Sequence, residues 1–166
     1  MPVSVVLGID LGERRIGVAV GDTESGSVIP LLTLRRGTAV QDASALARVI
    51  AERRAQELVV GLPLHVDGSE SEQSRRTRAW VADLEALIGV PIHWQDERLT
   101  SQLAESRLGR APRGRSGGAP SSRARQARRA RIDREAAADI LQRELDVRRA
   151  AASQRRISTA PPEYDR

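Results

Sequence analysis

The sequence contains no cysteine, phenylalanine, lysine or asparagine. Without cysteine there can be no disulfide bond and no thiolate metal site. Because aromatic residues make up only 2% of the chain, alanine and aliphatic side chains must fill the core around Trp80 and Trp94. No apolar run approaches the roughly 20 residues of a membrane span, and the apolar start at residues 2–9 is too short for a secretory signal. We therefore expect a cytoplasmic protein that makes no use of a membrane.

The composition is that of one basic globular domain. Of the 166 residues, 40% are hydrophobic, and the net charge is +5. Because the chain has no lysine, all 27 of its strongly basic side chains are arginines. The guanidinium group stays protonated at any pH and binds phosphate through a planar fork. This charge favours a polyanion such as nucleic acid as partner, although a protein can also be basic without having one.

Apolar runs predict a sheet that begins with three strands. Residues 3–9 and 16–21 are apolar and are separated by a short turn that starts at Asp10, so they are expected to form a hairpin. Residues 28–34 are the third predicted strand, and Pro30 confines that strand to an edge or a bulge.

Helical spacing then alternates with two further strands. The pattern predicts helices near residues 43–51 and between residues 69 and 89, strands at 58–62 and 90–94, a short helix after Thr100 and a last helix at 133–149. Antiparallel strands followed by βα crossovers make one mixed five-stranded sheet with helices on both faces. This is the α/β arrangement of ribonuclease H-like proteins.

The carboxyl-terminal third contains two segments without an apolar pattern. Residues 111–131 are rich in Gly, Ser, Pro and Arg, and they predict a mobile Arg-rich loop. Residues 150–166 are polar and are expected to form a disordered tail. We therefore predict a single domain at residues 1–149.

Asp10 is the first candidate for chemistry. It follows the first strand and shares a face with Val6 and Gly8. A carboxylate that continues a central strand is unfavourable unless it is paired or bound to a metal. The alternative is a turn aspartate that bonds its own backbone.

Further acids follow the fifth strand and begin the last helix. Asp96 and Glu97 point to opposite faces, so only one of them can face Asp10; solvated charges are the alternative. Asp133 lies on the apolar stripe of its helix and faces the sheet, unless it is only the N-cap, whereas Asp139 points away. The stripe is formed by Ala136, Ala137, Ile140 and Leu141.

Three carboxylates at one edge of a sheet would repel one another. Two charges 4 Å apart cost about 4 kcal/mol at an effective dielectric constant near 20. A divalent cation reverses this repulsion, and oxygen ligands favour Mg²⁺ or Mn²⁺ over Zn²⁺. One or two such ions can activate water for phosphodiester hydrolysis. His65 is a candidate substrate contact or a solvated loop residue, and His93 is expected to be structural.

Four segments match one family in the same order. They are Gly8–Asp22, Val60–Pro63 with Asp67–Ser69, Asp96–Ser101, and Ile132–Ala137 with Ile140–Gln142. Over about residues 5–145 the chain closely resembles the YqgF/RuvX family, whose members are described as Holliday-junction-resolvase-like and as proposed pre-16S rRNA nucleases. A single segment would be weak evidence, but four in order are specific.

The resemblance implies a ribonuclease H-like fold and a metal-dependent nuclease. The family's acidic triad falls on Asp10, Glu97 and Asp133, which would be both the catalytic residues and the ligands of one or two Mg²⁺ or Mn²⁺ ions. The implied role is maturation of the 5′ end of pre-16S rRNA in ribosome biogenesis. Holliday junction resolution on branched DNA is the other role, and it would need a homodimer rather than a monomer.

Arginines are the candidate nucleic-acid-binding residues. Arg14 and Arg15 match the family's basic pair, and no acid lies between Ala111 and Arg131. That loop predicts a flexible clamp on a phosphate backbone, or else a solvated loop, and scarce aromatics argue against base stacking. The full set is Arg14, Arg15, Arg98, Arg113, Arg115, Arg123, Arg125, Arg128, Arg129 and Arg131.

Two other classes of function remain open. Asp10-Leu-Gly also resembles the phosphate loop of sugar kinases and actin-like ATPases, but those proteins need two such domains. A non-catalytic RNA-binding assembly factor would keep the acids for structure alone. Metal-dependent cleavage that is lost in Asp10→Asn separates a nuclease from such a factor, and nucleotide binding would support the ATPase.

Overall fold

A computed structural model describes residues 4–65, 67–96 and 121–158, with side chains described as far as residue 155. Three strands pair antiparallel, namely β1 (Val5–Leu11), β2 (Arg15–Asp22) and β3 (Val28–Arg35). Two further strands, β4 (Glu57–Leu62) and β5 (Ile92–Asp96), extend the sheet in parallel from β1. The order β3-β2-β1-β4-β5 confirms the predicted mixed five-stranded sheet.

Three described helices cover this sheet. α1 (Ala39–Arg53) follows β3, α2 (Glu72–Glu85) lies between β4 and β5, and α3 (Ser122–Ser158) is the last described element. α1 and α2 begin with capping boxes at Thr38 and Ser71, which satisfy backbone groups of the first turn. No helix in the described ranges is long and apolar enough to cross a membrane.

Alternate residues of β1 face opposite layers. Leu7 and Ile9 are buried in the main core with α1 and α2. Val6 is buried in a second core, where it packs with Ile140 and Leu141 of α3. The predicted coverage of both faces is therefore confirmed, and aliphatic side chains fill both cores.

β3 is the edge strand that the proline predicts. Pro30 pairs with Ala19 of β2, and the register between the two strands shifts between Val18 and Ala19. A proline cannot donate to a ladder, so an edge strand with a local irregularity is where it is tolerated.

α3 is longer than expected at both ends. It begins at Ser122 rather than Asp133, and Ser121 caps it by accepting a hydrogen bond from the backbone N–H of Ala124 at 3.1 Å. The segment expected to be a mobile loop at 111–131 is therefore helical from Ser122 on. Alanine, arginine and glutamine are strong helix formers, so the lack of apolar residues indicates exposure rather than a loop.

Two further predictions concern the carboxyl-terminal end of α3 and the chain that precedes this helix. α3 continues through residues 150–158, where a disordered tail was expected. The short helix predicted after Thr100, and residues 111–120 of the expected loop, lie outside the described residues.

Candidate active site

Asp10 lies within β1 rather than in the turn that the sequence suggests. β1 continues to Leu11, and Asp10 is the cross-strand partner of Gly17. Its position in the alternation places it with Val6 and Gly8 on the face that α3 covers. The predicted face is therefore correct, while the predicted end of the strand is too early.

Asp133 faces this strand from the interior of α3, so it is not the N-cap of its helix. Two glycines allow the helix to approach the sheet closely. A Cβ on Gly17 would overlap the backbone carbonyl of Asp133, and a Cβ on Gly8 would lie 2.6 Å from the carbonyl oxygen of Ala137. An isolated glycine inside a strand is the sequence signal for such an approach.

The two carboxylates influence each other. Burial, followed by the neighbouring charge of Asp133, raises the pKa of Asp10 from 3.8 to about 7. The side chain of Asp10 nevertheless keeps partial access to solvent. This combination, an acid that is hard to ionise yet reachable, is typical of a functional site.

Arg15 binds Asp133 directly. The guanidinium Nε of Arg15 donates a hydrogen bond to Oδ2 of Asp133 at 2.5 Å, and the two side chains are 29% and 19% exposed. Arg15 therefore neutralises one of the two carboxylates. The sequence suggested Arg15 only as a phosphate ligand and gave no signal for this pair, which joins residues far apart in the chain.

The acids after β5 are only partly described. Asp96 is the last residue of β5, pairs with Leu62 of β4 and is half-buried. Glu97, the third member of the predicted triad, lies outside the described residues. Within the described ranges no group of three or more His, Asp or Glu side chains could hold a metal ion.

Asp139 is buried, although it lies outside the apolar stripe that the sequence predicts. The helical spacing suggested that it points away from the sheet, yet its side chain is only 8% exposed. Every residue of α3 from Ala136 to Leu141 is buried, so burial here is not confined to one stripe of the helix.

The two histidines differ in their contacts. The Nε2 atom of His93 lies 2.9 Å from Oε2 of Glu57, and Arg148 binds the other carboxylate oxygen, Oε1, of the same residue. This fits the structural role expected for His93. His65 is exposed in the loop after β4, where its backbone N–H donates to the carbonyl oxygen of Ser69.

The described candidate arginines lie near the acidic pair or along α3. Arg14 is exposed in the turn between β1 and β2. Five others belong to the amino-terminal part of α3, namely Arg123, Arg125, Arg128, Arg129 and Arg131. All of these are exposed except Arg128, which is half-buried. Three lie outside the described residues: Arg98, Arg113 and Arg115.

Asp10 and Asp133 fit a divalent cation. Both donors are carboxylate oxygens, the kind of ligand that Mg²⁺ and Mn²⁺ prefer. The charge of Asp133 contributes to the raised pKa of Asp10, so the two carboxylates lie near each other and a cation would relieve their repulsion. The glycine-lined approach of α3 brings the second carboxylate to the strand without a side chain in between.

The strand order and the helices on both faces define an α/β domain of the ribonuclease H-like class. The fold is similar to that of the Thermus thermophilus RuvC structure in complex with a Holliday junction substrate, with a TM-score of 0.50. That match covers 88% of this chain and 96% of RuvC at 15% identity, so it shows the fold alone.

Sequence comparisons give the family. The model described as RuvX: Holliday junction resolvase matches residues 4–147, and the chain belongs to this family. A proposed pre-16S rRNA nuclease from Anaeromyxobacter sp. (strain K) is 46% identical over 142 residues, which cover 86% of this chain and 96% of the relative. Another from Ruegeria pomeroyi is 41% identical over 145 residues, covering 87% and 88%.

Proposed function

We propose that this protein is a divalent-metal-dependent nuclease that processes the 5′ end of pre-16S rRNA during ribosome biogenesis in the cytoplasm. The observation that carries the proposal is the convergence of Asp10 and Asp133, from a central strand and the helix that crosses it. The relatives named as pre-16S rRNA nucleases, which match most of the chain, support the choice of substrate.

Asp10, Asp133 and Glu97 are the proposed ligands of one or two Mg²⁺ or Mn²⁺ ions. The cation would supply charge stabilisation and an activated water for phosphodiester hydrolysis. β1 holds the Asp10 carboxylate on a central strand of the sheet. α3 holds Asp133, whose Oδ2 is kept in place by Arg15. Asp96 is the alternative third ligand on residue chemistry alone, and the family resemblance favours Glu97.

The arginines near the acidic pair are the proposed phosphate ligands. Arg14 is exposed beside the strand that carries Asp10, and Arg15 reaches the pair itself. A guanidinium can form two parallel hydrogen bonds to one phosphate, which positions the backbone without reading the bases.

Holliday junction resolution is the second candidate, because it is the activity in the description of the matching family. Cutting two strands of a junction symmetrically requires two active sites, and hence a homodimer. Processing one RNA end requires only one site and is compatible with a monomer.

A parallel cleavage assay tests the function. Wild type and Asp10→Asn receive a pre-16S 5′ leader RNA and a four-way DNA junction, with Mg²⁺ or Mn²⁺. We expect the RNA to be cut by the wild type alone, because the amide cannot replace a charged metal ligand. Symmetrical cutting of the junction alone would favour the resolvase. Cutting of neither substrate, with tight RNA binding, would indicate a non-catalytic assembly factor and overturn the proposal.

A further inference from the structure

The amino-terminal part of α3 extends past the edge of the sheet. The hydroxyl of Thr33, in edge strand β3, donates to the carbonyl oxygen of Ala130 at 2.7 Å. Further along the helix, Asp133 lies over Gly17 of β2, and Ala137 lies over Gly8 of β1. The helix therefore crosses the strands in the order β3, β2, β1, and the residues before Ala130 lie beyond β3.

This extension, residues Ser122–Arg131, is called the basic arm below. Its side chains are exposed except at two half-buried positions, Arg128 and Ala130. It carries five arginines and no acidic residue. Because the arm continues the helix that carries Asp133, its arginines are at fixed distances from the acidic pair, up to about 15 Å along the helix axis.

Arg35 joins the arm to the active site. It is the last residue of β3, two positions after Thr33, so the two side chains share a face. It is exposed, and it lies directly opposite Arg15, the residue that binds Asp133. Arg15 is already paired with Asp133, so the exposed charge of Arg35 is the one that remains available beside this ion pair to attract an anion. The sequence did not suggest Arg35 as a binding residue.

We propose that the basic arm and Arg35 form a rigid surface that holds the sugar-phosphate backbone of a nucleic-acid duplex beside the cleavage site. This inference rests on the proposed nuclease function and adds that the substrate is double-stranded next to the cut. RNA and DNA duplexes share this backbone chemistry, and the experiment below distinguishes them.

The available aromatic side chains support a duplex over a single strand. Non-specific single-strand binding uses aromatic side chains on which successive bases stack. Trp80 is buried, with its Nε1 donating to Asp42, and the ring of Trp94 is covered by the guanidinium of Arg78 at 5.1 Å. In the described residues the surface near the acidic pair thus offers charge at fixed spacing and no stacking platform. Fixed spacing suits a stiff partner whose phosphates are also at fixed spacing.

A proline placed inside the arm separates a rigid arm from a flexible clamp. Ala127→Pro keeps every arginine in the sequence. The proline removes a backbone N–H donor and clashes with the preceding turn, so the arm bends or unwinds. Ser122→Pro is the matched control, because proline is tolerated at the first position of a helix. Circular dichroism and thermal melting of both full-length variants verify that the rest of the protein remains folded.

Binding is measured in EDTA, so that cleavage does not interfere, by fluorescence anisotropy over a range of salt concentrations. The probes are a blunt RNA duplex and a blunt DNA duplex, each about two helical turns long, and one strand of each alone. We expect the wild type and Ser122→Pro to bind duplex about tenfold more tightly than single strand, and Ala127→Pro to lose most of this preference. A difference in affinity between the RNA and the DNA duplex identifies which backbone the surface fits. A preference for duplex of either kind over its single strand supports the proposal.

Arg35→Gln is a second variant that does not alter the helix. We expect it to weaken duplex binding and to lower the salt slope by about 1, as for the loss of one phosphate contact. Equal affinity of the wild type for duplex and single strand, or an Ala127→Pro variant with an unchanged preference, would overturn the proposal. Because these measurements require no metal, they are independent of whether the protein cleaves RNA.

Discussion

At the scale of single residues, the carboxylate of Asp10 is the group most strongly affected by its surroundings. Burial first, and the charge of Asp133 second, raise its pKa from 3.8 to about 7. The folded, metal-free protein therefore binds this proton more tightly than the unfolded chain does. The resulting stabilisation is complete below about pH 4 and is lost as the pH rises through about 7.

We expect Asp10→Asn to stabilise the metal-free protein at alkaline pH. The amide keeps the shape of the side chain and removes a charge whose burial is unfavourable. The pKa shift corresponds to at most about 4 kcal/mol at pH values above 7, and the difference from wild type should shrink toward pH 5. Chemical denaturation in EDTA across this pH range measures it.

Asp146→Asn is the control for that experiment, because it removes the same charge from an exposed position on α3. We expect its free energy of unfolding to stay within about 0.5 kcal/mol of the wild-type value. If Asp10→Asn also followed the wild type at every pH, the burial of a charge at Asp10 would be disproved.

The sequence predicted part of this site at the residue scale. The period of two along β1 placed Asp10 on the correct face, and the helical period placed Asp133 toward the sheet. The pairing of Arg15 with Asp133 and the location of Arg35 beside the arm were not predictable. They depend on which flexible side chains meet after strands and helix have packed, which no local pattern encodes.

At the scale of elements, the closeness of α3 to the sheet determines whether the two carboxylates meet. Gly17 lies directly under the backbone of Asp133, and Gly8 lies under Ala137. A side chain at either strand position would push the helix outward. The sequence predicted the helix and its facing residues, but it underestimated its length, because an exposed, arginine-rich helix has no apolar stripe to detect.

We expect Gly17→Ala to destabilise the protein by roughly 1–3 kcal/mol, since overpacking moves backbone as well as side chains. It should also reduce cleavage, because Asp133 moves away from Asp10. Gly89→Ala is the matched control, since nothing lies within 4 Å of a Cβ there. Thermal and chemical unfolding of both variants measure the effect. Equal stabilities would show that α3 does not rest on Gly17.

At the scale of the whole molecule, the candidate active site and the exposed positive charges lie next to one another. The acidic pair is at the sheet, Arg35 is beside it, and the basic arm extends from β3. A net charge of +5 predicted a polyanionic partner without saying where it binds. The mixed five-stranded sheet and the family were predictable, because buried strands and short motifs are local in sequence. The continuity of the arm with the helix that carries Asp133 was not predictable, because the composition of the arm resembles that of a loop.

The central claim is that Asp133 acts with Asp10 in metal-dependent cleavage rather than in binding substrate. Single-turnover cleavage and binding of a pre-16S 5′ leader RNA, with Mg²⁺ or Mn²⁺, test it in wild type, Asp133→Asn and Asp146→Asn. We predict that Asp133→Asn cleaves about 100-fold more slowly or worse, while its RNA affinity is unchanged or higher because a negative charge is gone. Asp146→Asn should behave as the wild type. Cleavage by Asp133→Asn at the wild-type rate, or an equal loss of affinity and rate, would contradict the claim.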